Sequence, residues 1–214
     1  MQPNSLRTPF RLSGRYVELV PLEKAHREGL RRAARSPEIG RYLRHGPGET
    51  LADMDDLIDE LLVAQSEGTD LPFTTRTLPD HTVAGMTRFL RIDRESQWVE
   101  IGGTWLDTAL WRTPVNTEAK YLMLRHAFEG ESAHRVQLQT DSRNERSQRA
   151  IARLGAVREG VLREDVLLAG GYFRSSVYFS VLATEWPAVR SGLEAQLRRP
   201  WTGTAPGEPA SSLG

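Results

Sequence analysis

The chain has 214 residues, a length that suits one domain with a sizeable core. It carries 28 basic and 28 acidic side chains, so its formal net charge is zero, and neither a nucleic acid nor an anionic membrane is expected as a partner. The absence of cysteine excludes disulfides and thiolate chemistry and fits a cytoplasmic location. No membrane helix or signal peptide is expected, because no apolar run approaches the roughly 20 residues that span a bilayer.

The first half of the chain changes from helical to strand periodicity near residue 70. A helix is predicted at Glu23–Ala34, and Thr50 with Asp53 three residues on predicts the capped start of a second helix. Gly102 and Gly103 interrupt one of the strands, which indicates a bulge or a close backbone approach. The strands of this half are predicted at residues 15–20, 71–78, 82–92 and 97–106.

The second half alternates helices and strands. The helix predicted at Val115–Glu129 is apolar on much of its surface, as expected of a helix packed against a sheet. Gly155 occupies the position where a left-handed residue ends the following helix. The remaining elements are a strand at residues 135–140, a helix at 145–154, a hairpin of strands 157–168 and 172–182, and a helix at 185–198.

This order predicts a mixed α/β fold, with a mostly antiparallel central sheet flanked by helices on both faces. No repeat or linker divides the chain, so residues 1–199 are predicted to form a single domain. Residues 200–214 are rich in Gly, Pro, Ser and Thr and are predicted to be a disordered tail.

The first candidate site is the junction where the strand ending at Leu106 runs through a short loop into a helix. Helix starts carry free N–H groups and partial positive charge, so such a junction can cradle a diphosphate. Arg112 adds a planar cation suited to phosphate, and Thr113 can cap the helix with Pro114 at its first position. The local pattern also fits a capped core helix without any ligand.

Two further candidates are a second helix start and a strand glutamate. Asn144 is a good N-cap, and the Ser147 hydroxyl one turn later can point between the two helix starts, although a plain cap has the same pattern. Glu100 lies in a partly apolar strand, where burial can raise the pKa of a carboxylate that acts as a general base. An outward-facing glutamate fits the same local pattern.

The sequence gives little support for a catalytic histidine, a metal site, a serine nucleophile or a nucleotide-binding loop. His126 and His134 are interpreted as hydrogen-bonded structural residues, and no metal is expected because no His, Asp and Glu cluster has ligand spacing. Neither a nucleophile elbow nor a Walker-type loop is present.

Taken in order, these segments resemble the RimJ/RimL-like branch of the GCN5-related N-acetyltransferases (GNAT) over about Arg15 to Pro187. Each segment is unspecific, and the resemblance rests on their order and spacing. The segments are Val99-Glu100-Ile101-Gly102, Trp105-Leu106-Asp107, Trp111, Asn116-Thr117-Glu118-Ala119, Ala127-Phe128-Glu129, His134-Arg135-Val136, Asn144-Glu145-Arg146-Ser147, Leu154-Gly155-Ala156, Arg158-Glu159-Gly160 and Glu185-Trp186-Pro187.

The resemblance implies an acyltransferase enzyme that moves acetyl from acetyl-CoA to a primary amine by direct attack, without a metal. The strand at Trp105 and Leu106 would separate from its neighbouring strand. Its backbone would then hydrogen-bond the pantetheine arm, which would lie along the strand as an additional strand does. Asn144 would contact that arm or orient its helix, Ser147 would protonate the departing thiolate, and Glu100 would be the base. The diphosphate would lie on the loop residues Arg112, Thr113, Val115, Asn116 and Thr117.

The diphosphate loop departs from the family's form, Gln/Arg-x-x-Gly-x-Gly/Ala. Trp111, Pro114 and Asn116 occupy its defining positions, and Pro114 has no N–H to donate. A lost charge-assisted bond is worth about 1.5–3 kcal/mol, or roughly tenfold or more in affinity. Two alternatives follow: a degenerate fold that serves as a binding or regulatory module, and an enzyme that uses another donor such as succinyl-CoA.

The sequence leaves the acceptor open between a protein N-terminus and a small amine. Its pocket is expected to be lined by Arg41–Leu57, Trp98 and the hairpin near residues 170–173. Four aspartates of the second helix, at positions 53, 55, 56 and 59, could attract a cationic amine, but a solvated helix face is the favoured interpretation. A homodimer is compatible with the resemblance, but no surface is assigned to it.

Overall fold

The computed structural model describes residues 6, 8–44, 46–48, 50–168 and 171–201. The sheet is built from β1 (Leu12–Ser13), β2 (Val17–Pro21), β3 (Leu71–Thr77), β4 (Val83–Asp93), β5 (Trp98–Leu106), β6 (Arg135–Asp141), β7 (Val157–Leu167) and β8 (Phe173–Leu182). The α-helices are α1 (Arg27–Ala33), α2 (Leu51–Ser66), α3 (Pro114–Arg125), α4 (Glu145–Arg153) and α5 (Trp186–Arg198).

The eight strands form one sheet in the order β1-β2-β3-β4-β5-β6-β8-β7. Every neighbouring pair is antiparallel except β5 and β6, which run parallel. Helix α3 connects these two strands, as a parallel connection requires. The predicted mixed, mostly antiparallel fold is confirmed.

Helices cover both faces of the sheet, and each face has its own apolar cluster. One cluster joins the sheet to α3, α4 and α5 through residues such as Met123, Ile151 and Leu193. The other joins it to α1 and α2, with Leu30 and Ile58 among its members. We refer to these as the α3 face and the α1/α2 face. Because both faces are covered, a polar side chain pointing out of the central strands is buried rather than solvated.

Strands β5 and β6 pair over only three residues and then separate. The register runs from Trp98 to Glu100 on β5, opposite Arg135 to Gln137 on β6. Residues 101–106 of β5 therefore have no partner on their β6 side, which confirms the predicted splay. A register shift against β4 in the same stretch confirms the predicted bulge, with Gly103 at φ 56°, a left-handed conformation that favours glycine.

Most predicted elements are confirmed with small changes at their ends. The helix predicted at Glu23–Ala34 begins as a 3₁₀ turn and becomes α-helical only at Arg27. The helix predicted to reach Glu129 changes to π-helical geometry over His126–Gly130. Thr50 and Asp53 form the predicted capping box, and Gly155 has the predicted left-handed conformation at φ 94°. The tail predicted to be disordered lies outside the described residues from position 202 onward.

A buried glutamate of α3 holds the beginning of β2. The Glu118 carboxylate accepts backbone N–H bonds from Arg15 at 2.9 Å, Tyr16 at 2.6 Å and Val17 at 2.9 Å. A Cβ at Gly14 would overlap the Glu118 carboxylate, so this approach requires glycine. The carboxylate thus satisfies three backbone donors at the point where the chain enters the sheet.

We expect Glu118→Gln to lower the free energy of unfolding by about 2–3 kcal/mol, because the amide would turn an N–H donor toward backbone N–H groups. Urea denaturation followed by circular dichroism measures the change. Glu28→Gln is the matched control, since that side chain is exposed on α1, and its effect should stay within about 0.5 kcal/mol. Equal effects of the two substitutions would contradict the assigned role of Glu118.

Candidate active site

A cavity of about 900 Å³ opens where β5 and β6 separate. Its lining includes Leu43 and Trp105 on the α1/α2 face, and Ile151 and Leu154 on the α3 face, so it extends through the gap in the sheet. The volume is in the range of small-molecule and cofactor sites. Of the predicted site residues, nine line this one cavity: Glu100, Trp105, Leu106, Arg112, Thr113, Asn116, Thr117, Asn144 and Ser147.

Glu100 lies at the last paired position before the two strands separate. Its side chain is 2% exposed, so it is not an outward-facing strand residue. Its carboxylate accepts a hydrogen bond from Gln137 Nε2 at 3.0 Å and one from Gln139 Nε2 at 2.8 Å, and Arg91 lies 3.5 Å from Oε2. An ionised carboxylate can only accept hydrogen bonds, and these neighbours offer it only donors. The geometry suits a base held in one orientation.

Two arginines fix the orientation of these amides. The Gln139 oxygen accepts from Arg174 at 3.0 Å, and the Gln137 oxygen accepts from Arg135 at 3.1 Å. Each amide must therefore present its N–H side to Glu100. The carboxylate is the common end of two arginine–glutamine chains on the α1/α2 face of the sheet.

The predicted diphosphate loop forms a capped helix start. The Thr113 hydroxyl accepts from the Val115 N–H at 3.4 Å, and Pro114 occupies the first turn. The Val115 side chain is buried in the core, so the structure does not place it at the cavity, and its N–H is engaged by the cap. The first turn leaves the N–H of Asn116 for a ligand. Arg112 has φ 66°, a left-handed conformation that costs a non-glycine residue about 1–2 kcal/mol.

The second helix start faces the same cavity. Asn144 caps α4 as predicted, accepting the Ser147 N–H at 3.0 Å, so it orients the helix that presents the Ser147 hydroxyl. The guanidinium of Arg146 stacks on the Trp111 ring at 3.2 Å from the centroid and thereby joins the two helix starts. Arg149 and Arg153 also line the cavity from α4. These three arginines were not identified from the sequence, although their spacing of three and four residues places them on one helix face.

The end of β5 is shaped by two tryptophans. The Trp111 indole donates to the Leu106 carbonyl at 3.2 Å, which occupies one backbone group that was predicted to bind a ligand. The Trp105 side chain is 5% exposed, and its indole N–H has no hydrogen-bond partner among the described residues. A buried donor without a partner costs free energy, and a ligand in the cavity can satisfy it.

Known proteins share this fold and this sequence pattern. A profile of the acetyltransferase (GNAT) domain matches residues 17–157, well over half of the chain. The chain belongs to this GNAT family. Together with a solved relative at 42% identity, the match supports the predicted acyltransferase enzyme, and the structural similarity to RimJ is consistent with the predicted RimJ/RimL-like branch.

Three relatives show the range of similarity to this GNAT domain. A structure from T. thermophilus, provisionally named an acetyltransferase, is 42% identical with a TM-score of 0.81, covering 89% of this chain and 98% of its own. Mycobacterium smegmatis RimJ, solved with CoA-disulfide, is 19% identical with a TM-score of 0.78, covering 91% of this chain and 98% of its own, and it shows the fold alone. YdaF of Bacillus subtilis strain 168, provisionally named a ribosomal N-acetyltransferase, is 30% identical over 109 residues, 51% of this chain and 58% of its own length, which is less than two thirds.

The GNAT cavity also contains a lysine that was not identified from the sequence. Lys120 on α3 is 5% exposed, and its Nζ donates to the hydroxyls of Thr87 at 3.1 Å and Thr104 at 2.5 Å. Burial lowers the pKa of this amine from 10.5 to about 7. Near neutral pH, Lys120 is therefore divided between its charged and uncharged forms.

The acceptor end of the cavity differs in part from the prediction. Tyr42, Leu43 and Arg44 line it as expected, whereas Trp98 does not, and the hairpin contributes Val166 and Arg174 rather than its turn. Gly170 lies outside the described residues. The α2 aspartates do not line the cavity: Asp53 belongs to the helix cap, Asp55 pairs with Arg27 and Asp59 with Lys24. The solvated-face interpretation of these aspartates fits their positions.

Two further findings concern metals and membranes. Within the described ranges, no group of three or more His, Asp or Glu side chains could hold a metal ion. In that same part of the chain, no helix is both long and apolar enough to span a bilayer.

Proposed function

We propose that this protein is an acetyl-CoA-dependent N-acetyltransferase that acts on a primary amine. The observation that supports it best is the position of Glu100, whose oriented carboxylate lines the same cavity as the two helix starts. A base for the amine and a cradle for phosphate are thereby combined in one site. The family relationship supports acetyl transfer, and the naming of RimJ as a CoA-disulfide complex supports CoA as the carrier.

The residues present fit acetyl-CoA in three ways. The unpaired edge of β5 and the indole N–H of Trp105 offer hydrogen bonds to a linear amide-containing arm. The N–H of Asn116 and the α3 helix start suit a diphosphate. Arg112, Arg146, Arg149 and Arg153 supply positive charge around the two helix starts. These arginines offset the N–H that Pro114 lacks, which favours an enzyme over a degenerate binding module.

In the proposed reaction, Glu100 takes a proton from the substrate ammonium through a direct hydrogen bond. The free amine then attacks the thioester carbonyl, forming the C–N bond while the C–S bond breaks. Ser147 delivers a proton to the departing thiolate and regains one from the amine nitrogen, which loses its second proton as the C–N bond forms. Holding the amine and the thioester together in one cavity lowers the entropic part of the barrier.

The diphosphate cradle predicts a measurable loss of affinity in Arg112→Ala. We expect the Kd for acetyl-CoA to rise about tenfold, because a charge-assisted bond to phosphate is worth about 1.5–3 kcal/mol. The difference should shrink as salt screens the interaction. Isothermal titration measures both effects.

Arg35→Ala is the control for this titration, since Arg35 is exposed and does not line the cavity, and its Kd should match that of the wild type. Absence of wild-type binding at millimolar acetyl-CoA would overturn the proposed function. Equal Kd values for Arg112→Ala and Arg35→Ala would remove Arg112 from the cradle. Tighter binding of succinyl-CoA than of acetyl-CoA would indicate that succinyl-CoA is the acyl donor.

A further inference from the structure

The acceptor end of the cavity contains a buried arginine whose bonded partners are all neutral. Arg174 on β8 is 8% exposed and lines the cavity. It donates to the Ser176 hydroxyl at 2.7 and 3.0 Å, to Gln139 Oε1 at 3.0 Å and to the Tyr42 carbonyl at 3.3 Å. The carboxylate of Asp141 on neighbouring β6 is hydrogen-bonded to Arg143, at 2.7 and 3.1 Å, and interacts with Arg174 only through space, where the charge of Arg174 contributes to the lowered pKa of Asp141.

A buried guanidinium is costly unless an anion offsets its charge. An arginine side chain remains protonated in proteins, and the hydrogen bonds of Arg174 leave one N–H on Nη1 that can donate to a carboxylate in the cavity. Arg91, 48% exposed and next to Glu100, adds positive charge at the same end. The site therefore has the electrostatic character expected for a ligand that brings a negative group.

The distance from Arg174 to Glu100 limits the size of such a ligand. Both groups contact the Gln139 amide, Arg174 through its oxygen at 3.0 Å and Glu100 through its nitrogen at 2.8 Å. With ordinary amide bond lengths, the guanidinium and the carboxylate lie within about 8 Å of each other. Hydrogen bonds of about 2.9 Å at each end leave only about 2 Å between the ammonium nitrogen and the carboxylate oxygen, so a ligand with a single carbon between the two groups fits best.

We propose that the acceptor is a free α-amino acid, whose carboxylate binds Arg174 while its amine faces Glu100. This rests on the proposed acetyltransferase activity and names its substrate class. The amine nitrogen forms the bond to the acetyl carbon as the C–S bond breaks. One ammonium proton leaves through Glu100 to solvent, and a second accompanies the thiolate, giving an N-acetyl amino acid and CoA.

A peptide N-terminus fits these observations less well. Its first carbonyl is neutral, so a peptide would bring no negative group to Arg174 beyond the partial counter-charge of Asp141. An amino acid supplies that charge at the position the geometry requires. The difference gives a test in which acceptors vary only in the charge of the carboxyl group.

The test compares the common L-amino acids with their carboxamides and with short peptides, at saturating acetyl-CoA. We expect the wild type to favour at least one amino acid over its amide by at least tenfold in kcat/KM. Arg174→Met should remove this preference by raising KM for the acid, with kcat for the amide little changed. Arg174→Lys should retain part of the preference, since it keeps the charge but not the planar geometry.

Unchanged acetyl-CoA affinity in both variants shows that they remain folded, and Arg35→Ala again serves as the control. Equal turnover of acids and amides, faster turnover of peptides, or a preference that survives in Arg174→Met would overturn the inferred acceptor and leave the acetyltransferase intact. Absence of acetylation in all three acceptor series would overturn the acetyltransferase itself.

Discussion

Glu100→Gln should lower kcat by about 10²–10⁴-fold at neutral pH, the range typical of a lost general base. The substitution keeps the shape of the side chain, but it replaces a carboxylate oxygen with an N–H donor facing the amide N–H groups of Gln137 and Gln139. The loss should be greatest at low pH, where the acceptor amine is protonated and depends on a base. Steady-state release of CoA thiol, followed from about pH 6 to about pH 9.5, measures both effects.

The matched comparison is Glu118→Gln. Glu118 is also a buried glutamate, but its carboxylate hydrogen-bonds backbone N–H groups and has no proposed role in the reaction. The substitution should lower stability while leaving the pH dependence of kcat unchanged in the folded protein. A pH–rate profile of Glu100→Gln parallel to that of the wild type would remove Glu100 from the base role.

Lys120→Met should stabilise the protein, and more so at pH 6 than at pH 9. In the folded state the pKa of Lys120 is about 7, against 10.5 in the unfolded state. Between these values the unfolded chain binds more protons, so the wild-type free energy of unfolding rises with pH because of this group. Below pH 7 both states are protonated, and the cost of burying the charge is fully present.

From pH 6 to pH 9 the wild type should therefore gain about 3 kcal/mol relative to Lys120→Met, as each pKa unit corresponds to about 1.4 kcal/mol. The Thr87 and Thr104 hydroxyls, 2.7 Å apart, still bond each other without the lysine. Urea denaturation at several pH values measures the difference, and Lys24→Met on the exposed surface is the control. Parallel stability curves for the wild type and Lys120→Met would contradict the assigned pKa.

The fold could be predicted from the sequence because the hydrophobic periodicity and the helix-capping residues indicate the same elements along the chain. The α2 capping box, the left-handed Gly155 and the bulge beside Gly103 are local features, and the structure confirms them. The ends of α1 and α3 were less predictable. Their 3₁₀ and π-helical turns depend on packing against distant elements, and apolar spacing does not record that packing.

Several residues that line the cavity could be singled out from the sequence, because Asn144 and Ser147 lie at a helix start and Glu100 lies beside the glycine pair of β5. Arg174 and Lys120 were not predicted, because their importance depends on burial between elements far apart in sequence. Gln137 and Gln139 did give a signal. They alternate with apolar residues on β6, a central strand of a sheet covered on both faces, so their polar side had to be buried.

Acetyl transfer itself can be followed with acetyl-CoA that carries an isotope label in its acetyl group. The protein is incubated with the amino acids, amides and peptides, and the products are identified by mass spectrometry. We expect labelled N-acetylated acceptor from the wild type and far less from Glu100→Gln under the same conditions. Label recovered only as free acetate, or no consumption of acetyl-CoA with any acceptor, would contradict the proposed acetyl transfer.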